Sequence, residues 1–126
     1  PVDDFYDPAK LAIMPMGFCY PGRMARGGDL PPRPECAPAW HDALLGHLPD
    51  IGLTLLIGQY AQSYYLGKRR AKTMTQTVHQ FADYLSEGIL PMPHPSWRNT
   101  AWMKKNPWFE ADLLPVLRAK VQALLG

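Results

Sequence analysis

With 126 residues, 47% of them hydrophobic, the chain is sized for one domain with a single core, here taken as residues 1–126. A net charge of +2 neither demands nor excludes a polyanionic partner, so the distribution of charge matters more than its sum. No run approaches the ~20 consecutive apolar residues of a membrane span and no segment resembles a signal peptide, which leads us to expect a cytoplasmic monomer with no membrane partner.

The chain opens on loop-like, acidic sequence (Asp3, Asp4, Asp7) with no initiating methionine, and we expect further sequence before it. Leu11 to Met16 reads as a short buried strand, ended where Gly17 and Pro21-Gly22 turn the chain. Residues 17–36 then form a long loop carrying Arg23, Arg26, Gly27-Gly28 and Pro31-Pro32-Arg33-Pro34, and long loops in compact domains usually carry function. Cys19 and Cys36 lie within it. They fit free thiols, one disulfide, or half of a four-thiolate metal site, and the spacing does not choose among them.

Pro38 suits the first turn of a helix in which Trp40, Leu44, Leu45 and Leu48 fall at helical spacing, before Pro49-Asp50 stops it. Ile51 to Ile57 is apolar nearly throughout, as expected of a central parallel strand covered on both faces. Gly58 ends that strand, Gln59 to Leu66 reads as a helix, and Gly67 terminates it. Lys68, Arg69, Arg70 and Lys72 follow as a basic cluster, either a solvated face or a contact for a polyanion. A short helix near Thr75 to Leu85 leads to a third strand, Ile89 to Met92, in which Pro91 is tolerable only where no ladder donor is needed. Asn106-Pro107 forms a cap and first-turn pair for a last helix with its stripe at Phe109, Leu113, Val116, Leu117, Val121 and Leu124; Pro115 is predicted to kink it near Leu114.

Strand, helix, strand, helix, strand, helix predicts a three-layer α/β/α fold with a parallel sheet of three strands. Ligands of such sheets bind beyond the carboxyl ends of the strands, where Gly17, Gly58 and His94 all fall. His94 stands between Pro93 and Pro95, which fix its backbone; that stiffness suits a catalytic hydrogen-bond donor and equally a structural turn. His41, His47 and His79 fall on predicted helices without metal-type spacing and read as surface or satisfied core. No dinucleotide fingerprint, phosphate-binding P-loop, hydrolase nucleophile elbow or zinc-protease motif occurs, and Ser96 shows no triad order.

The segment His94-Pro95-Ser96-Trp97-Arg98-Asn99 resembles the H-P-S motif that follows the last strand in the uracil-DNA glycosylase superfamily. Met16-Gly17-Phe18-Cys19-Tyr20-Pro21-Gly22 is similar to the cysteine and proline loop of the iron-sulfur branch, Leu55 to Ala61 to the central strand and its turn, and Asn106 to Glu110 to the start of the final helix. The likeness covers nearly all of the chain in the family's order. It implies a base-excision repair hydrolase that flips uracil or a related damaged base out of DNA and breaks the N-glycosidic bond. By the same resemblance, His94 would donate to the developing oxyanion, with Met16, Gly17, Phe18 and Ser96 around the base. Arg98 and Asn99 would supply a wedge or phosphate contacts, Lys104 and Lys105 a backbone grip, and Arg23, Arg26 and Arg33 a reach to the other side of the duplex. Trp97 and Trp102 fit base stacking or core.

Iron-sulfur members use four cysteines, and sixteen residues between Cys19 and Cys36 is close to the spacing of the later pair. The resemblance thus implies a 4Fe-4S cluster in a full-length protein, with two ligands upstream of Pro1, and none in this chain alone. Two departures bear on activity. The Gly- and Pro-containing motif that positions the attacking water, with the family's first strand of four, has no counterpart before Asp7. Pro15 stands where many members have a uracil-reading asparagine, which leaves recognition to the backbone around Met16 to Phe18 or points to another base. A noncatalytic DNA-binding module and a protein-interaction domain are the competing readings.

Overall fold

A computed structural model describes residues 2–96 and 99–126. The chain forms two compact units, Pro1–Asp50 and Ile51–Gly126. No helix among the described residues is long and apolar enough to cross a membrane.

In the first unit, helices α1 (Val2–Phe5) and α2 (Cys36–Gly46) bracket a long stretch of irregular backbone. The strand predicted over Leu11 to Met16 does not form: Ile13 is 75% exposed, Leu11 40%, and the backbone there joins no ladder. A strand exists only through its partner, and an apolar run that ends in Pro15 specifies extended chain without supplying one. The loop that follows folds back on itself. Leu30 N–H donates to Gly22 O at 2.8 Å and Met24 N–H to Gly28 O at 2.9 Å around an antiparallel bridge between Arg23 and Asp29. Gly27 and Gly28 both take positive φ at its tip, a conformation that side chains resist. Helix α2 begins two residues before Pro38, whose missing amide falls in the first turn, and it buries Ala37 and His41; Trp40 and Leu44 of the predicted stripe are exposed.

The second unit holds the sheet. Strand β1 (Thr54–Ile57) pairs in parallel with β2 (Ile89–Met92), Thr54 opposite Ile89 and Ile57 opposite Met92. Among the described residues the sheet has these two strands, not three. Between them run α3 (Gln59–Leu66), a 3-10 turn (Gly67–Arg69), α4 (Met74–His79) and α5 (Phe81–Leu85). After β2 come α6 (Asn99–Lys105), a π-helical turn (Phe109–Leu113) and α7 (Leu114–Leu125).

Pro91 is accommodated by phase. Thr54 N–H donates to Gly88 O and Gly58 N–H to Met92 O, so the even-numbered positions of β2 face β1 and Pro91, one residue out of step, gives up no ladder bond. Pro115 is likewise placed where it costs little, in the first turn of α7, and the widened turn before it takes the disturbance predicted near Leu114.

Helices cover both faces of β2. On one face Leu56 packs with Leu66 of α3 and Tyr84 of α5, with Ile89 against them. On the other, Leu90 packs with Val78 of α4, Phe109 and Leu113, with Trp102 and Trp108 around this cluster. The result is an α/β/α arrangement on a small parallel sheet. β1 is not the doubly covered central strand its sequence predicts, for Leu55 and Ile57 on its second face are 36% and 42% exposed.

Candidate functional site

Parallel pairing brings the carboxyl ends of β1 and β2 to the same edge, so Gly58 and the Pro93-His94-Pro95 turn become neighbours. Gly58 N–H donates to Met92 O at 2.9 Å, which ties the last residue of β2 to the first residue beyond β1. The backbone at Gly58 has φ 86° and ψ 170°, a region essentially confined to glycine. A Cβ there would lie 3.7 Å from the Cβ of His94, an ordinary contact, so the backbone conformation and not crowding calls for glycine beside the His94 turn.

Gln62, one turn into α3 and 2% exposed, fastens both strand ends. Its Nε2 donates to Leu56 O at 3.2 Å and to Met92 O at 2.9 Å. The two residues reached lie six and thirty positions away, so no local motif announces this role. Gln62→Leu keeps the volume and removes both bonds; the expected cost is about 1–3 kcal/mol at ~0.5–1.5 kcal/mol for each net bond, read as a lower urea midpoint at an unchanged slope.

The turn after β2 is closed by Asn99. Its side-chain Nδ2 donates to the carbonyl oxygen of His94, and its backbone N–H donates to Ser96 O at 3.0 Å. His94 itself is exposed, with Nδ1 3.2 Å from Pro95 O, which leaves Nε2 as the ring atom facing outward. Ser96 is exposed beside it. Trp97 and Arg98 lie outside the described residues.

Lys104 and Lys105 are exposed in the last turn of α6, where positive charge also complements the helix dipole. Trp102 is committed to the interior: its Nε1–H donates to Thr75 Oγ1 at 2.8 Å, and its ring meets Trp108 and Phe109 edge-on. Of the two readings of Trp102, core prevails.

Met16, Gly17 and Phe18 belong to the first unit, and Gly17 ends no strand, so the strand ends that meet are two, at Gly58 and His94. The 16–18 segment is held from behind instead. His41, buried on α2, donates from Nε2 to Pro15 O at 2.8 Å, and the Phe18 ring meets the His41 ring edge-on with centroids 5.8 Å apart. Gly17 backs onto Pro32, whose Cβ would be 3.1 Å from an added Cβ. Phe18 is exposed and Met16 half-buried. His41 reads from the sequence as surface or satisfied core; it is the latter, and its partner twenty-six residues away gave no signal in spacing.

Arg23 and Arg33 are exposed, Arg33 donating to Glu35 at 2.8 Å. The Glu35 carboxyl is held below the ordinary carboxylate range, first by its own backbone amide and then by Arg33. Cys19 is exposed and Cys36 half-buried at the start of α2, both as free thiols. Among the described residues no three metal-ligating side chains gather into a group that could hold a metal ion.

Compared with known protein families, residues 3–118 match the one described as Uracil DNA glycosylase superfamily.

Proposed function

The chain belongs to the uracil DNA glycosylase superfamily, and from that premise we propose that it carries the base-binding and oxyanion-stabilising part of a DNA base-excision glycosylase. The observation that carries this reading is the placement of His94-Pro95-Ser96 just past the carboxyl end of β2, against Gly58 and above the Gln62 fastening. Parallel α/β sheets bind ligands at this edge.

A stacked base is out of reach, so the nucleotide leaves the duplex before the chemistry. The C1′–N bond then breaks with its electron pair on the base, leaving an oxocarbenium-like sugar that water attacks, with loss of a proton. His94, whose Nδ1–H is bonded to Pro95 O, turns that N–H to the oxygen of the departing base, where negative charge grows. Such a donor acts in the transition state more than in the bound ground state. Met16, Gly17 and Phe18 in the first unit offer the base backbone groups and the exposed Phe18 ring, and Ser96 in the second offers its hydroxyl. Pro15 has no side-chain amide and its carbonyl is engaged by His41, so uracil or a related damaged base is read by that backbone.

Lys104 and Lys105 of α6 and the motif's Arg98 contact the DNA backbone, as do Arg23 and Arg33 of the long loop. Asn99, with its amide N–H₂ committed to His94, has its Oδ1 left to accept from a base amino group. The water-activating group is not supplied by His94, which has no carboxylate partner among the described residues. Uracil release by residues 1–126 alone is therefore expected to be slow.

The Cys19 and Cys36 pair supports a place in the iron-sulfur branch, in which they supply two of four thiolates. Two thiols do not complete a 4Fe-4S cluster, and no step above passes through one. The test is strand scission by alkali at uracil in a labelled duplex incubated with full-length protein. Scission at uracil and not at thymine in the same position is expected. Salt-dependent binding without scission would favour a noncatalytic DNA-binding module, and no DNA binding at all a protein-interaction domain.

A further inference from the structure

Lys68, Arg70 and Lys72 line two adjoining cavities in the second unit. One is bounded by Ser63, Gly67, Lys68, Arg70, Ala71 and Lys72. The other, about 250 Å³, shares Arg70, Ala71 and Lys72 and extends to Gln59 and Gln62 of α3. Gln59 follows Gly58 directly, and Gly58 adjoins His94. The second cavity thus reaches from the shared Arg70 and Lys72 to Gln59, the residue next to Gly58.

The loop carrying these cations is built, not loose. Tyr84, itself buried, donates from its hydroxyl to Arg69 O at 2.6 Å. Ala71 N–H donates to Thr77 Oγ1 at 3.0 Å, and the same buried hydroxyl donates to Thr73 O at 3.0 Å. The fourth cation, Arg69, is turned aside to pair with Glu87. Lys68, Arg70 and Lys72 form no ion pair among the described residues and are exposed, so their charges are open to a ligand. Three exposed cations on a fixed backbone, lining cavities with polar and no carboxylate neighbours, suit a phosphate-bearing ligand.

We propose that Lys68, Arg70 and Lys72 form a track for the phosphodiester backbone of the nucleic-acid strand that presents its nucleotide to His94. The inference rests on the glycosylase reading and adds to it a second contact region, separate from the His94 turn and from α6. The track holds phosphates and carries no base readout, so it strengthens binding alike for every sequence.

The test compares Arg70→Ala/Lys72→Ala with Arg118→Ala/Lys120→Ala, which removes the same charge from the exposed side of α7. Binding of residues 1–126 to a uracil-containing duplex is followed by fluorescence anisotropy from about 50 to 200 mM salt, with circular dichroism confirming that both variants fold. The track predicts that the first variant loses about 1.8 from the slope of log K against log salt, at ~0.9 for each phosphate contact, while the second keeps the wild-type slope. Equal losses in the two variants overturn the track and leave the glycosylase reading in place. Absence of DNA binding by the wild-type chain overturns that reading and the track together. Displacement of DNA by inorganic phosphate at constant ionic strength, lost in the Arg70→Ala/Lys72→Ala variant, would assign the cavities to a free phosphate and overturn the backbone as their ligand.

Discussion

In full-length protein, His94→Ala is expected to slow single-turnover release of uracil roughly a hundredfold to a thousandfold, about 2.7–4 kcal/mol, while DNA affinity changes little. Pro93 and Pro95 fix the backbone on either side of the residue, Asn99 holds its carbonyl, and Gly58 lies beside its Cβ. Those supports all act on the backbone and the Cβ, and alanine keeps both. The side chain lost is exposed, so the fold should change by no more than about 0.5 kcal/mol, the usual range for surface substitutions. What disappears is a donor aimed at an oxygen that becomes anionic only as the bond breaks, and such a loss appears in rate rather than in binding. His94→Gln, which retains an N–H donor, should recover part of the rate. Equal losses in rate and in binding constant would mean that His94 only shapes the turn.

The second large effect is on the platform. Leu90→Ala is expected to cost about 2–5 kcal/mol, measured from the urea midpoint. Leu90 is fully buried in the middle of β2 and is the sheet's contribution to the cluster with Val78, Phe109 and Leu113. Partly buried side chains, Leu53, Trp102 and Trp108 among them, ring this cluster, and the cost grows with the share of the cavity they leave unfilled. Against the ~5–15 kcal/mol by which domains are typically stable, the loss is a large fraction. His94 follows β2 by two residues, so the turn should lose its fixed position as the strand loosens. A loss under about 1 kcal/mol would show that the cluster relaxes freely and that β2 is not the rigid mount inferred here.

How far the sequence discloses this arrangement depends on the distance over which each feature is decided. Gln59 to Leu66 and Ile89 to Met92 form as predicted because Gly58, Gly67 and Gly88 punctuate them locally. Strand β1 starts at Thr54 and not at Ile51 because its partner begins at Ile89, and register is invisible in either segment alone. The helix predicted near Thr75 to Leu85 divides at Gln80, whose ψ of 24° leaves the helical range; α4 then sends Val78 to one buried cluster and α5 sends Tyr84 to the other. Leu11 to Met16 shows the opposite failure, an apolar run read as a strand whose pairing partner the pattern does not supply.

The site divides in the same way. The H-P-S turn was legible as a contiguous motif, and family membership over residues 3–118 agrees with the resemblance it carries. Gln62 and His41, which fix the two backbone segments on which the proposal depends, were not legible. A buried glutamine or histidine acquires its meaning from carbonyls brought to it by folding, and both were unremarkable on their predicted helices.

Nucleic acid is expected to meet this chain at the carboxyl edge of the β1–β2 pair. The most direct measurement is a titration of ¹⁵N-labelled residues 1–126 with an oligonucleotide carrying a carbon-linked uracil, which has no N-glycosidic bond to break. Saturable shifts centred on Gly58, Gln59, His94, Ser96 and Asn99, absent for α7, are predicted. Saturable binding whose shifts are confined to α7, with the Gly58 and His94 turns unmoved, would contradict it.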